Sequence, residues 1–251
     1  MTSTPRALAI IQARMGSSRF PGKSLAEIDG KPILWYLFRQ LAGCRTLDDI
    51  VLATTTNAED DPLAAYGEDR GWAVFRGDPL DVLGRFVACA RAHGAGPDTD
   101  IVRLTGDDIH SDPRLIDAIV NIRQSLGPFA DFVTMDRTGR IPYGAGVEVC
   151  PFAALERADR EATDARDREH VTRYIHRQPD RFRIVDITPR DALECRELSV
   201  DKPEDLAWNR RLVTQLDRIA APPYRLADIV AAGRVLDAED QQGSSSQGKT
   251  P

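Results

Sequence analysis

The residues best suited to chemistry concentrate in the loop that follows the first apolar run. Residues 13–23 read ARMGSSRFPGK, and they include two arginines, a lysine, two glycines and two serines: Arg14, Arg19, Lys23, Gly16, Gly22, Ser17 and Ser18. A triphosphate requires amides that approach closely and cations that balance its negative charge. The loop therefore predicts a phosphate site, and the alternative is a basic surface loop with turn glycines.

The spacing within this loop excludes a Walker A motif. That motif has four residues between its first glycine and Gly-Lys. Here five residues, 17–21, separate Gly16 from Gly22. The phosphates must therefore be held by a loop of another kind.

Two aspartates from distant parts of the chain are candidate metal ligands. Asp107 follows the predicted strand IVRLTG, and Asp201 follows ELSV, also predicted to be a strand. The carboxyl ends of parallel strands share one edge of a sheet, and Mg²⁺ prefers oxygen ligands. Asp107 and Asp201 are thus predicted to hold Mg²⁺ against a triphosphate. Alone, Asp107 could be a turn residue, and Asp201 could be the N-cap of a helix that begins at Pro203.

The bulk composition is that of a soluble globular protein. The chain has 251 residues, of which 42% are hydrophobic and 29% charged, with a net charge of −6. This is enough for the core of one α/β unit. The net negative charge gives no general attraction to nucleic acid or an anionic membrane, so neither is an expected partner.

The cysteines and apolar runs indicate the compartment. The four cysteines form no C-x-x-C pair, so no zinc site is predicted. The apolar run 7–11 is too short for a signal-peptide core. No segment approaches the ~20 apolar residues that span a bilayer. We expect a cytoplasmic protein with reduced thiols.

Short apolar runs alternate with helical patterns over the first 130 residues. Strands are predicted at ALAII from Ala7, at DIVLATTT ending at Thr56, at WAVF from Trp72 and at DIVRLTGD from Asp100, and later at FVTM, GVEVC and RFRIVDI. Helices are predicted over 32–41, 60–71, 78–93, 113–125, 152–159, 168–178 and 203–220, with Asp78 and Asp112 as N-caps. Such alternation favours a parallel sheet with right-handed crossovers. Residues 1–236 are expected to form one domain, with 139–185 as an acceptor and dimerisation region, and the polar segment 237–251 to be disordered.

The loop resembles the signature loop of CTP-dependent nucleotidyltransferases that activate sugar acids. The resemblance is to the spore-coat polysaccharide type of cytidylyltransferase, related to the acylneuraminate and 3-deoxy-manno-octulosonate cytidylyltransferases. Further segments resemble that family in order: ATTTNAEDDPL from Ala53, FRGDPLDVLGRF from Phe75, VRLTGD from Val102, ATDARDREHVTRYI from Ala162 and LSVDKPEDL from Leu198. The resemblance implies a Rossmann-like, glycosyltransferase-A-like α/β fold with a mostly parallel sheet. It also implies a homodimer, and Mg²⁺ at Asp107 and Asp201.

The resemblance assigns roles to further residues. The implied nucleotide-binding residues are Ala13, Arg14, Gly16, Ser17, Arg19, Lys23, Thr54, Thr55, Arg76, Asp81, Arg85 and Thr105, with Arg14, Lys23 and Asp107 as catalytic residues. The expected acceptor-binding residues are Tyr143, Glu148, Arg168 and His170. Arg and His suit an acidic acceptor. Strand propensity alone could also explain the threonines, and His170 could have a structural partner.

One stretch departs from the family. Relatives usually follow the first aspartate with a small residue, a proline and apolar residues, whereas this chain has Asp108-Ile109-His110-Ser111. Asp108 could add a metal ligand, and His110 could touch the acceptor or be a loop histidine.

The leading hypothesis is a Mg²⁺-dependent cytidylyltransferase that uses CTP and an acidic small-molecule acceptor. A nucleotide-sugar glycosyltransferase would need a D-x-D motif, but Asp107 and Asp108 are adjacent. A catalytically silent nucleotide-binding protein is the third possibility.

Overall fold

The central element is a seven-stranded sheet. A computed structural model describes residues 6–135 and 139–247. The strands are β1 (Ala7–Gln12), β2 (Glu27–Ile28), β3 (Lys31–Pro32), β4 (Asp49–Thr55), β5 (Ala73–Gly77), β6 (Asp100–Thr105), β7 (Phe132–Met135), β8 (Glu148–Pro151) and β9 (Ile184–Ile187). The large sheet has the order β5-β4-β1-β6-β8-β7-β9, and β2 pairs separately with β3. Within the sheet only β8 is antiparallel to its neighbours, so the predicted mostly parallel α/β fold is confirmed.

Helices cover both faces of the sheet. They are α1 (Ile33–Leu41), α2 (Asp61–Asp69), α3 (Val82–Ala92), α4 (Pro113–Leu126), α5 (Phe152–Glu161), α6 (Ala165–Glu169), α7 (Arg173–His176), α8 (Pro203–Ile219) and α9 (Leu226–Gln247). None of the helices in the described part of the chain is both long enough and apolar enough to cross a membrane.

The strand β1 shows why the sheet is buried on both sides. Alternate residues of a strand point to opposite faces. Leu8 and Ile10 join the core that contains Phe86 of α3, whereas Ile11 joins the core that contains Leu37 of α1. A strand covered on both faces reads as an unbroken apolar run, as ALAII does.

The order of the strands brings the predicted site together. β1 lies between β4 and β6, and Gln12 at its carboxyl end is in register with Ala53 and Thr105. The loops that follow β1 and β6 therefore leave the sheet side by side. One carries the cationic segment 13–23 and the other carries Asp107.

The predicted cap of α3 is wrong by three residues. The helix begins at Val82, and the Asp81 carboxylate accepts from the Gly84 amide at 2.9 Å. The Asp78 carboxylate instead accepts from the amides of Leu80 and Asp81 in a turn that keeps this segment out of the helix. By contrast, the predicted cap Asp112 is confirmed, since it accepts from the Arg114 amide.

Two predicted elements differ because of backbone conformation. The helix expected over 168–178 is split into α6 and α7. Between them Val171 has φ = 49°, a left-handed conformation that is rare for a β-branched residue. The segment ELSV (197–200) is not a strand, although the Val200 amide donates to the Asp107 carbonyl at 3.1 Å.

The expected disorder of 237–251 is corrected for residues 237–247, which belong to α9. Acidic side chains attach this part of the helix to the rest of the protein. Asp237 accepts from the Arg196 amide at 3.1 Å, while Glu239 and Asp240 pair with Arg211 at 3.2 and 2.6 Å. Composition alone does not reveal these partners. Residues 248–251 lie outside the described part of the chain.

Candidate active site

A polar cleft of about 340 Å³ opens at the carboxyl edge of β1 and β6. Eleven of the predicted site residues line it: Ala13, Arg14, Ser17, Arg19, Lys23, Arg85, Thr105, Asp107, Tyr143, His170 and Asp201. The segment 13–23, the loop after β6 and the segment before α8 thus contribute to one surface. This cleft is the candidate active site.

Lys23 lies at the centre of the cleft, between the two predicted metal ligands. Its Nζ is 2.5 Å from Oδ2 of Asp107 and 2.8 Å from Oδ1 of Asp201. Arg19 binds the other oxygen of Asp201, Oδ2, at 2.8 Å. The Lys23 side chain is 14% exposed, whereas that of Arg19 is 60% exposed. The two carboxylates therefore share one enclosed cation.

The charges in this cluster stabilise one another. Burial alone would lower the pKa of Lys23, but Asp107 and Asp201 outweigh it and raise that pKa. Burial alone would likewise raise the pKa of Asp201, yet Lys23 and Arg19 lower it. Lys23 and Asp201 are thus both charged at neutral pH.

The backbone of the loop folds back to place Lys23. The Met15 carbonyl accepts from the amides of Ser17 and Gly22, both at 2.9 Å. Gly22 has φ = 76°, which a residue with a side chain rarely adopts, and it starts the short 3₁₀ helix Lys23–Leu25. The Ser24 hydroxyl donates to the Arg14 carbonyl at 3.0 Å, which closes the loop.

Close backbone packing fixes Asp107. The amide of Gly106 donates to the Gln12 carbonyl at 2.9 Å. A Cβ at position 106 would lie 2.8 Å from the Cβ of Ala13, so the segment accepts only glycine without a shift. The loops after β1 and β6 are thereby held against each other.

The alternative role of Asp201 as a helix cap is wrong. The N-cap of α8 is Lys202, and the Asp205 carboxylate accepts from the amides of Asp201 and Lys202 at 3.1 and 2.9 Å. The side chain of Asp201 is directed instead to Lys23 and Arg19. Its position is therefore explained by the cleft and not by the helix.

Two further cations of the cleft have no carboxylate partner among the described residues. Arg85 on α3 is 3% exposed, and its Nη1 donates to the Asp78 carbonyl at 2.6 Å. Burial, together with the charge of Arg14, lowers its pKa. Arg14 itself is exposed and forms no ion pair with the described residues. An unpaired guanidinium buried against a cleft indicates an anion site.

A second cavity of about 530 Å³ adjoins the cleft. Arg103, Thr105 and Tyr143 line both spaces. Glu148, predicted to bind the acceptor, lines this second cavity with His176, and we call it the acceptor cavity.

A network around Glu148 forms one wall of the acceptor cavity. Its carboxylate accepts from Nη1 of Arg103 at 3.1 Å and from the Thr172 hydroxyl at 2.8 Å, and Nε2 of His176 lies 3.3 Å away. Burial alone would raise the pKa of Glu148, but Arg103, His176 and Thr172 lower it to about 2. The carboxylate is therefore ionised throughout the neutral range.

Asp108 and His110, which depart from the family pattern, form hydrogen bonds within the protein. Asp108 accepts from the Thr105 hydroxyl at 2.5 Å and from the Ser199 hydroxyl, and burial with the nearby Asp107 charge raises its pKa to about 6. The buried ring of His110 bonds Asn209 Oδ1 through Nε2 at 2.8 Å, so it lines neither space. Burial lowers the pKa of His110 to about 4, so it is neutral.

Several predicted nucleotide-binding residues do not line the cleft. The backbone of Gly16 is outside it, and Thr54 and Thr55 are buried, with the Thr55 hydroxyl donating to Asp60. Arg76 is held by Asp61 at 2.7 Å and by backbone carbonyls.

Arg168, predicted to contact the acceptor, lines neither the cleft nor the acceptor cavity. Its guanidinium binds both carboxylate oxygens of Asp81 at 2.9 and 2.6 Å, and Asp159 at 2.6 Å. Asp81 is in turn the cap of α3 and not a cleft residue. The pair joins α6 to the start of α3, next to Arg85.

Four residues that line the cleft have no role in the sequence prediction: Gln12, Ser24, Val82 and Gly106. Arg103 lines it as well, two residues before Thr105 on β6, and such residues share a face of a strand.

The donor set fits a divalent cation. Among the described residues there is no group of three or more His, Cys, Asp or Glu side chains that could hold a metal. Asp107 and Asp201 nevertheless converge on one cation from separate segments. Mg²⁺ is commonly held by one or two carboxylates, with substrate phosphates and water completing its shell. Two protein carboxylates beside an anion site meet that requirement.

Fold and site together define a nucleotidyltransferase. The mostly parallel sheet presents a cation-rich loop and two carboxylates at its carboxyl edge. The family model described as cytidylyltransferase matches residues 8–224. The chain belongs to the cytidylyltransferase family, as the loop predicted.

Similar proteins agree with this assignment. The spore coat polysaccharide biosynthesis protein SpsF of Bacillus subtilis is 32% identical over 205 residues, which are 79% of this chain and 82% of SpsF. A cytidylyltransferase structure from Leptospira borgpetersenii covers 98% of both chains, with a TM-score of 0.83 and 23% identity. The structure of CMP:2-keto-3-deoxy-manno-octonic acid synthetase complexed with CTP covers 84% of this chain and 99% of its own, with a TM-score of 0.66 and 18% identity. The two structures show the shared fold.

Proposed function

We propose that this protein transfers CMP from CTP to an acidic sugar or related acidic acceptor, with Mg²⁺ and with release of pyrophosphate. The observation that carries the proposal is that two features occur in the same cleft. One is the buried guanidinium of Arg85, which has no carboxylate partner among the described residues. The other is the pair of carboxylates, Asp107 and Asp201, that share one cation. The first suits the phosphates and the second suits the metal.

The bond changes are those of an in-line displacement. An acceptor oxygen attacks the α-phosphorus and forms a new P–O bond, while the bond from that phosphorus to the bridging oxygen of the β-phosphate breaks. The bridging oxygen leaves with pyrophosphate and keeps the electron pair. An acceptor that attacks through an ionised phosphate or phosphonate oxygen has no proton to lose and needs no protein base, whereas an acceptor that attacks through a hydroxyl releases its proton to solvent.

Residues of the cleft have separate tasks in this reaction. Arg14, Arg19, Lys23 and Arg85 would bind the phosphates and stabilise the charge that develops on the leaving group. Asp107 and Asp201 would hold Mg²⁺, which neutralises the triphosphate when bound. Arg103 and Tyr143 line both spaces, so they lie where acceptor and phosphates would meet.

The altered stretch 108–111 gives no support to a silent nucleotide-binding protein. Asp108 and His110 have their own internal partners. The side chain of Asp107 remains on Lys23 in the cleft.

From the cysteine pattern and the short apolar runs we expect the protein to act in the cytoplasm, and from the family resemblance we expect a homodimer. Light scattering after size-exclusion chromatography tests the oligomeric state, and a monomer would contradict it.

The function is tested by pyrophosphate release. CTP, UTP, GTP and ATP are each incubated with Mg²⁺ and a panel of sugar acids, phosphonates and phosphorylated polyols. We expect release with CTP and at least one acidic acceptor, and release slower by roughly 10²-fold or more with Asp107→Asn. Release that prefers ATP, or that occurs equally with neutral sugars, would overturn the proposal.

A further inference from the structure

The position between Asp107 and Asp201 is occupied by the ammonium group of Lys23. Its Nζ contacts one oxygen of each carboxylate, at 2.5 and 2.8 Å. Mg²⁺ binds carboxylate oxygens at about 2.0–2.1 Å. A metal ion on these same two oxygens and the ammonium cannot occupy the position together.

We propose that Lys23 is the resident cation of this site and that a divalent metal ion must displace its ammonium from Asp107 and Asp201 before nucleotidyl transfer. This rests on the proposed function, because the metal it concerns is the one required there. The ammonium of Lys23 can then bind the triphosphate. The same side chain therefore binds the two carboxylates before the metal arrives and the phosphates afterwards.

The geometry of the loop allows this movement without rebuilding the backbone. Hydrogen bonds from Leu25 to the Gly22 carbonyl, and from Ala26 to the Lys23 carbonyl, fix the main chain on both sides. The flexible four-carbon stem of a lysine lets its ammonium move while the backbone stays in place. The same cleft is lined by Arg14 and Arg85, so the expected phosphate position is within the same space.

Charge balance explains why displacement is needed. Without metal, Lys23 and Arg19 supply two positive charges to two carboxylates. A divalent ion that approached with Lys23 still in place would meet a like charge at close range. The lysine should therefore weaken metal binding to the free protein, although it assists turnover.

The experiment measures metal affinity without nucleotide. Mn²⁺ is titrated into the full chain, and free Mn²⁺ is followed by its electron paramagnetic resonance. Lys23→Met should bind Mn²⁺ on the order of tenfold more tightly than the wild type, because a competing charge is removed. Lys23→Arg keeps the charge and should not gain affinity. Lys31→Met, the same change at an exposed position outside the cleft, should bind Mn²⁺ as the wild type does.

A second measurement follows Lys23 in the unmodified protein. The chain has only four lysines, Lys23, Lys31, Lys202 and Lys249. With lysine labelled at ¹³Cε, the resonances of Lys23 and Lys31 are assigned by their loss in Lys23→Met and Lys31→Met. Mg²⁺ should shift this resonance and leave that of Lys31 in place. The shift itself is measured in the wild-type chain, and the variants serve only to assign the resonances.

The outcomes separate the inference from the proposed function. Equal or weaker Mn²⁺ binding by a folded Lys23→Met, or an unmoved Lys23 resonance at saturating Mg²⁺, overturns the displacement. If the wild type still releases pyrophosphate from CTP with Mg²⁺, the proposed function stands in that case. Failure of every protein to bind Mn²⁺, together with turnover that persists in a metal chelator, overturns both.

Discussion

Arg103 and Glu148 lie directly opposite each other on the antiparallel strands β6 and β8, and Nη1 of Arg103 donates to Oε2 of Glu148 at 3.1 Å. This cross-strand pair is located where the cleft meets the acceptor cavity. The hydrogen bond from Thr172 and the nearby His176 ring connect it to the segment that carries His170. The sheet thus fixes the orientation of a guanidinium between the cleft and the acceptor cavity.

Glu148→Gln should raise the KM for the acceptor more than the KM for CTP. The amide keeps the shape but removes the charge that orients Arg103. Breaking this half-buried pair should cost roughly 1–3 kcal/mol of the free energy of unfolding. Steady-state kinetics with each substrate varied, beside urea denaturation, provides the measurement. If only the KM for CTP rises, Arg103 contacts the phosphates and not the acceptor, which would contradict the prediction.

The two buried arginines Arg85 and Arg123 should respond oppositely to substitution. Arg123 is paired with buried Asp100 at 2.6 Å, whereas Arg85 has no carboxylate partner among the described residues. Arg85→Met should therefore raise the melting temperature of the ligand-free protein and weaken CTP binding. Arg123→Met should lower the melting temperature because it leaves Asp100 unpaired. The free energy of unfolding should fall by roughly 3 kcal/mol.

Thermal melts with and without CTP test this contrast. A lower melting temperature for ligand-free Arg85→Met would show that its guanidinium stabilises the fold. In that case its burial would carry no information about an anion.

Asp107→Asn and Asp201→Asn should each reduce turnover by roughly 10²-fold or more and raise the Mg²⁺ requirement, because the metal loses a formal charge. Folding should change little, since the first turn of α8 is capped through Asp205 and not Asp201. Pyrophosphate release against Mg²⁺ concentration is compared with a melting curve. Normal turnover in Asp201→Asn would remove that residue from the metal site.

His110 should make stability depend on pH between 7 and 4. Its pKa is about 4 in the folded protein and 6.5 when unfolded. The unfolded chain therefore binds more protons in this range, so the stability that His110 contributes is present above pH 6.5 and is lost as the pH falls towards 4. The loss amounts to roughly 2–3 kcal/mol.

The variant His110→Gln retains hydrogen-bonding capacity towards Asn209 but does not titrate. In urea denaturation at pH 7, 6 and 5, the free energy of unfolding should decrease less for the variant than for the wild type as the pH falls. Parallel pH dependence of the two proteins would mean that the ring of His110 takes up protons in the folded state.

The structure confirms the predicted positions where local sequence determines them. A buried apolar strand followed by Gly-Asp leaves little freedom, and Asp107 lies after the carboxyl end of β6 as predicted. The density of cations and glycines distinguishes the loop 13–23, and this loop does line the cleft. Both signals lie within a few residues of the groups they describe.

The predicted site residues that do not line the cleft differ in side-chain direction and in long-range partners. Thr54 and Thr55 end a strand as predicted, but strand propensity does not say which way a terminal hydroxyl turns, and Thr55 turns to Asp60. Arg168 has the chemistry of an acceptor ligand, yet it binds Asp81, 87 residues away. No local pattern reveals such a partner.

The bridge formed by Lys23 also has a consequence for synthesis of the chain. Lys23 reaches Asp107 across 84 residues and Asp201 across 178. A nascent chain therefore carries the cationic loop and the first carboxylate long before the second carboxylate is translated. A product released by premature termination within residues 188–200 contains every strand of the large sheet but lacks one half of the site. Under the proposed function, translation past that point is a condition for activity, and prematurely terminated fragments should not consume CTP.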